Sequence, residues 1–193
     1  MYQIHALYLL QSSFAASLND AAFSFMNGIA SSALTAVMSP LAESFFIVLP
    51  LVAIYLALKN DTNVYAYCMT VVALFVIGEV LKAIIQEPRP CSLPDLSWIN
   101  HTTCESGYSF PSNHATVLTG LPLFLRRYRL PQVAYVAWLL VLLFGRVYLG
   151  QHYLTDVLAG AVLSIIIVFV VYRYSNQVYK FVKRHGLAVL TRK

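Results

Sequence analysis

The sequence predicts an all-α fold, a polytopic transmembrane helix bundle. Three observations predict it. Of 193 residues, 59% are hydrophobic and 11% charged, against roughly 25% charged in a soluble domain. The mean hydropathy is +0.68. The apolar residues gather in runs whose length suits a hydrocarbon layer of roughly 30 Å. The length allows one compact domain over residues 1–193. A formal charge of +5 and a pI near 9.2 fit cytoplasmic loops facing anionic head groups; no nucleic-acid partner is expected. The start, Met1-Tyr-Gln-Ile-His5, carries no Lys or Arg, so no cleaved signal peptide is expected.

Residues 1–40 read as two interfacial or packing helices, about 2–17 and 20–37, mixing apolar residues with Ser, Asn and Gln. Asn19-Asp20 separates them and Ser39-Pro40 closes the second. The alternative is that 20–37 is a sixth span. The transmembrane core, 41–173, holds five expected spans at about 41–58, 64–86, 113–126, 131–149 and 156–173. The third is short, and Pro122 should bend it. Residues 174–193 form a basic, aromatic tail that suits cytoplasmic head groups.

The charges set an expected orientation. Lys59, Arg126, Arg127, Arg129, Arg173 and the basic tail fall on one side. Loop 87–112 and turn 150–155 fall on the other, where Arg89 is the lone Lys or Arg. The positive-inside rule makes the first side cytoplasmic. Cys91 and Cys104, thirteen positions apart in the outer loop, can form a disulfide or stay free thiols. Cys68 reads as a packing residue in the second span.

Three constellations face that outer side. Lys82 and Arg89 lie seven apart, two helical turns, and share a face if the helix persists; Pro88 and Pro90 end that helix. Pro111-Ser112-Asn113-His114 opens the third span, with Ser112 or Asn113 as N-cap. Backbone N–H groups in the first turn, with His114 beside them, suit a phosphate oxygen. Arg146, His152 and Asp156 fall six and then four residues apart, so the carboxylate can hold the imidazole in one tautomer. Gly145 and Gly150 allow a tight turn there. Each constellation also has a bland reading: snorkelling cations, an ordinary capped helix, a neutralised turn. Glu79 could orient or neutralise Lys82, and Glu87 reads as solvated.

In this order, Lys-x6-Arg-Pro, Pro-Ser-x-His and Arg-x5-His-x3-Asp resemble the type 2 phosphatidic acid phosphatase superfamily. The wording from Arg146 to Gly160 is similar to its membrane lipid phosphatases, and the hydrophobicity argues against its soluble haloperoxidases. The resemblance implies that His152 is a nucleophile forming a phosphohistidine, that Asp156 orients it and that His114 protonates the leaving oxygen. It implies a cationic clamp of Lys82, Arg89 and Arg146, helped by Ser112. It implies no metal and no other cofactor, and the sequence offers neither a carboxylate cluster nor a Cys/His cage. Two positions depart from the pattern: Asn113 replaces a usual Gly and can donate to phosphate, and Gly145 replaces a usual Ser.

The expected function is hydrolysis of a polyprenyl diphosphate, with the site on the outer face of the cell membrane. The Glu87-Pro-Arg-Pro wording is similar to polyprenyl diphosphate phosphatases. Phosphatidylglycerophosphate or phosphatidic acid is the alternative substrate, and a lipid phosphotransferase or an anion-binding transport protein the alternative class. The expected partners are the lipid substrate and the bilayer.

Overall fold

The computed structural model describes residues 13–93 and 104–184. Eight α-helices run through these residues. They are α1 (Ser13–Gly28), α2 (Ser32–Glu43), α3 (Phe45–Leu58), α4 (Asn63–Ile85), α5 (Asn113–Leu118), α6 (Arg129–Tyr148), α7 (Leu154–Arg173) and α8 (Ser175–Arg184). Two 3-10 segments, Pro90–Ser92 and Leu121–Leu125, join them.

Helix α4 with its extension to Ser92, α6 and α7 are each long and apolar enough to cross a membrane. Helices α2 and α3, bent by 44° about Ser44, pass the same test as a pair. The outward faces are apolar: Ile84 is 72% exposed, Leu140 63% and Phe169 64%. Such a belt suits lipid rather than water. Cys68, expected to pack inside, is instead exposed on α4.

The boundaries differ from the sequence reading in three places. Helix α1 runs through Asn19-Asp20 and ends at Gly28, because Asn19 is used in a tertiary contact rather than as a cap. Its amide donates to Thr155 Oγ1 (3.0 Å) and its carbonyl accepts from Thr155 N–H (3.1 Å), docking α1 on the start of α7. The next start is at Ser31, whose hydroxyl accepts from Leu34 N–H at 3.2 Å. Pro40 lies inside α2, which continues to Glu43. The expected span 113–126 is a six-residue helix followed by a 3-10 segment, with Pro122 near its start. Proline lacks the N–H that a continuing α-helix would use.

Glycine makes that short segment fit. A Cβ on Gly120 would meet the backbone oxygen of Ser164 at 2.7 Å, and one on Gly160 would meet Ser112 O at 2.9 Å and Thr116 Oγ1 at 2.8 Å. Helix α5 therefore lies directly against α7. In hydrocarbon, where apolar burial drives little helix association, close approach between small residues is a main source of packing energy. One apolar cluster joins α3, α4, α6 and α7 around Leu56, Tyr67, Leu74, Phe124 and Leu142. A second, around Phe23, Met26, Met38 and Val157, seats the N-terminal helices beside the polar end of the bundle. Helix α8 closes on α4, with Tyr179 against Tyr65 at 5.8 Å.

Candidate active site

The three sequence constellations meet at one end of the bundle, each brought there by a local device. Helix α4 ends at Gln86, which takes the left-handed conformation (φ 56°). The helix does not persist to Arg89, so Lys82 and Arg89 do not share a helical face as expected. Arg89 instead leaves on the extended residue between Pro88 and Pro90, and its side chain is buried. The Cys91 N–H donates to Gly150 O at 2.9 Å, tying this turn to the one that carries His152. Gly150 has φ 65°, which glycine adopts without strain. After it, the N–H groups of Gln151 and His152 both turn back to Arg146 O, at 3.1 and 3.3 Å.

His152 is almost fully buried, and both ring nitrogens are engaged. Nδ1 faces Asp156 Oδ2 at 3.6 Å and Ser109 Oγ at 3.5 Å. Nε2 lies 3.3 Å from Arg89 Nη1. A guanidinium can only donate, so Nε2 is the acceptor and the ring proton sits on Nδ1. Burial, and then Arg146, Arg89 and Lys82, hold the imidazole well below its usual 6.5, so it is neutral near pH 7. A neutral ring with its Nε2 lone pair on the Arg89 guanidinium is placed to attack an electrophile held there.

Asp156 is the third residue of α7, and its Oδ2 accepts from Tyr153 N–H (2.9 Å) and Ser109 Oγ (2.5 Å). Glu87, expected to be solvated, hydrogen-bonds the Asp156 carboxyl. Lys82 is buried, and its Nζ donates to the carbonyls of Tyr108 (2.5 Å) and Ser109 (3.4 Å). It thereby braces the strand of loop that delivers the Ser109 hydroxyl.

Ser112 is the N-cap residue of α5, but its hydroxyl makes no cap bond. The Ser112 hydroxyl, Arg89 Nε, Arg146 Nε and His114 Nε2 are buried without a hydrogen-bond partner among the described residues. The His114 ring hydrogen-bonds the Ala42 backbone and meets Phe45 edge-on at 4.5 Å. With its other nitrogen so engaged, Nε2 is the one available for proton transfer. Asn113, expected to reach phosphate, instead donates its amide to Glu79. Glu79 thus takes the Asn113 amide, and its charge also acts on Lys82, the neutralising role that the sequence suggested.

The sequence reading missed Glu105. Its carboxylate bridges Arg146 Nη2 (2.6 Å) and Arg89 Nη2 (3.2 Å). A disulfide joins Cys91 and the preceding Cys104, with Cα atoms 5.7 Å apart. A cavity of about 710 Å³ opens beside this centre. Its polar end holds Lys82, Arg89, Glu105, His114 and His152, and its apolar end runs between α3 and α4 past Phe46, Leu49, Val72 and Phe75. A cavity of this shape accepts an anionic head at one end and a hydrocarbon chain at the other. Among the described residues, no group of three His, Cys, Asp or Glu side chains is placed to hold a metal ion.

A helical membrane bundle with His114 and His152 beside Arg89 at the polar end of one cavity defines a class of membrane protein. Comparison with known proteins makes it specific. The PAP2 superfamily pattern matches residues 62–180, and the chain belongs to that superfamily. It is 31% identical over 125 residues to sphingosine-1-phosphate phosphatase 1 of Mus musculus, covering 57% of this chain but 29% of that protein. It is 34% identical over 118 residues to phosphatidylglycerophosphatase B of Bacillus subtilis, covering 54% of each. To the undecaprenyl-diphosphatase BcrC of Bacillus subtilis it is 26% identical over 178 residues, covering 86% of this chain and 88% of that one. The fold is similar to the crystal structure of a transmembrane PAP2-type phosphatidylglycerolphosphate phosphatase from Bacillus subtilis. The TM-score is 0.67 at 22% identity, covering 92% of this chain and 98% of that one.

Proposed function

We propose that the protein is an integral membrane lipid phosphatase that removes the terminal phosphate of a polyprenyl diphosphate of the undecaprenyl type. Lys82, Arg89 and Arg146 hold the terminal phosphoryl group, with the Ser112 hydroxyl donating to one oxygen. His152 Nε2 attacks phosphorus. The P–O bond to the lipid breaks as the N–P bond forms, and His114, protonated once the phosphate anion lies beside it, gives its Nε2 proton to the leaving oxygen. Water then attacks the phosphohistidine, with His114 taking a proton from it, and inorganic phosphate leaves. Asp156 and Ser109 keep the His152 proton on Nδ1 throughout. Three cations and preorganised donors supply the charge stabilisation that phosphoryl transfer needs.

The observation that carries the reaction is His152 Nε2 against Arg89, 3.3 Å away, with Arg146 and the His114 ring beside them. The substrate is supported by the likeness to the undecaprenyl-diphosphatase, which extends over 86% of this chain. A second reading, a lipid phosphomonoesterase, is favoured by Glu79. Its carboxylate lines the cavity, where the inner phosphate of a diphosphate would be repelled.

We also infer five spans, with α2–α3 as one and α5 with its 3-10 segment as another. The site then faces the exterior of the cell membrane, opposite Lys59, Arg126, Arg127, Arg129 and Arg173. The test is phosphate release from the purified protein, with no acceptor, across polyprenyl diphosphates, phosphatidylglycerophosphate and phosphatidic acid. Fastest turnover of the diphosphate supports the first reading. Preference for a monoester replaces it with the second, and no release from any of them sinks both.

A further inference from the structure

Glu105 stands where an anion belongs. One carboxylate oxygen faces Arg146 Nη2 at 2.6 Å and the other faces Arg89 Nη2 at 3.2 Å. A phosphoryl group held by the same two arginines would offer them two oxygens in the same way. The guanidiniums are fixed and buried: Arg89 Nη1 also donates to Gln151 O at 2.9 Å. The Glu105 side chain is 36% exposed, so the carboxylate is the partner with room to move.

Glu105 is also tethered. Its N–H donates to Gln151 Oε1 at 3.0 Å, and its neighbour Cys104 is bonded to Cys91. Short tethers of this kind hold a group at a local concentration on the order of millimolar or above. The carboxylate is therefore a standing competitor for the two arginines.

We propose that Glu105 is a specificity-determining residue that sets the affinity an anion must exceed to occupy the Arg89–Arg146 pair. The proposal rests on the reading of that pair as the phosphate site. A bilayer surrounds the protein with phosphodiester head groups, each with one negative charge. A diester that displaces Glu105 exchanges one singly charged partner for another and forfeits the tether. A terminal phosphate carries nearly two charges and three free oxygens. It replaces both carboxylate contacts and has an oxygen left for the Ser112 hydroxyl, which is buried and without a partner among the described residues. The competitor thus keeps abundant lipid out of the site and yields to a terminal phosphoryl group.

The test compares inorganic phosphate with dimethyl phosphate, a singly charged diester, binding to the full-length protein in detergent at about pH 8. Affinities come from ligand-induced thermal shifts. The wild type should favour inorganic phosphate. Glu105→Gln should tighten both ligands by a similar factor, on the order of tenfold, because a tethered competitor that either ligand must displace raises both apparent dissociation constants alike. Glu105→Asp should bind both as the wild type does. Unchanged or weakened binding of the two ligands in Glu105→Gln overturns the proposal. Should Glu105→Gln not fold, wild-type protein with Cys91–Cys104 reduced should bind both ligands more tightly, and unchanged affinities after verified reduction overturn the proposal equally. Binding needs no turnover, so the two readings fail separately. Tightened binding without phosphate release from any lipid removes the hydrolase reading alone. Release with unchanged affinities removes the Glu105 role alone.

Discussion

His152 Nδ1 stands 3.6 Å from Asp156 Oδ2, and the Ser109 hydroxyl reaches both. The imidazole is therefore oriented by two groups, a carboxylate and the hydroxyl that the carboxylate fixes. His152→Ala should abolish phosphate release. Ser109→Ala should lower kcat by about tenfold or more with little change in KM, since the hydroxyl acts on the attacking ring and not on the bound substrate. Steady-state kinetics on one lipid substrate checks both. A change confined to KM would place Ser109 with the substrate instead.

The engagement of His114 by the Ala42 backbone leaves Nε2 for the proposed proton transfer. His114→Ala should cost poor leaving groups, such as an alkyl alcohol, on the order of 100-fold or more, while an aryl phosphate loses far less. Equal losses across a leaving-group series would remove the acid role.

Gly160 lets α5 touch α7, because its missing Cβ would lie 2.9 Å from Ser112 O. Gly160→Ala should push the Ser112–His114 turn away from Asp156. Overpacking of this sort typically costs about 1–3 kcal/mol. The expected outcome is a lower Tm together with a fall in kcat, measured on the same preparation.

Burial and neighbouring cations hold His152 below its usual 6.5. The neutral form, the one proposed to attack, therefore persists below that pH, and the acid limb that His152 contributes to kcat/KM should lie under pH 6.5. Stability moves in the matching sense. Between 6.5 and the lower folded value the unfolded chain binds a proton that the folded one does not, so stability should fall as pH drops through that window. A pH–rate profile and Tm measured against pH test the two statements separately.

Vanadate, which takes the geometry of phosphoryl transfer, should inhibit, and EDTA should leave the rate unchanged. Strong inhibition by EDTA would sink the three-cation reading of the clamp.

The sequence carried Lys82, Arg89, His114, Arg146, His152 and Asp156 plainly, since each sits in a short motif at an end of an apolar run. Their convergence followed from placing those ends on one side of a membrane. Glu105 was not legible because it belongs to no motif, and it meets arginines far from it in the chain. The signal that could have found it was Cys104: a bond to Cys91 brings residue 105 beside Arg89. Helix ends near the N-terminus were misread for a related reason. Asn19 and Pro40 carry local stop signals, yet a contact with Thr155 and a bend at Ser44 absorb them. Glu87 looked solvated because only the fold brings Asp156 to it.

The bend between α2 and α3 lies outside residues 62–180, the part that matches the superfamily. Yet Ala42 just before it bonds the His114 ring, Phe45 just after it contacts the same ring, and Trp138 donates to Ser44 Oγ at 2.8 Å. The ring proposed to give the proton is thus held by a segment that carries no signature residue. Substitutions in this elbow would reach the proposed acid while leaving all three motifs letter for letter the same.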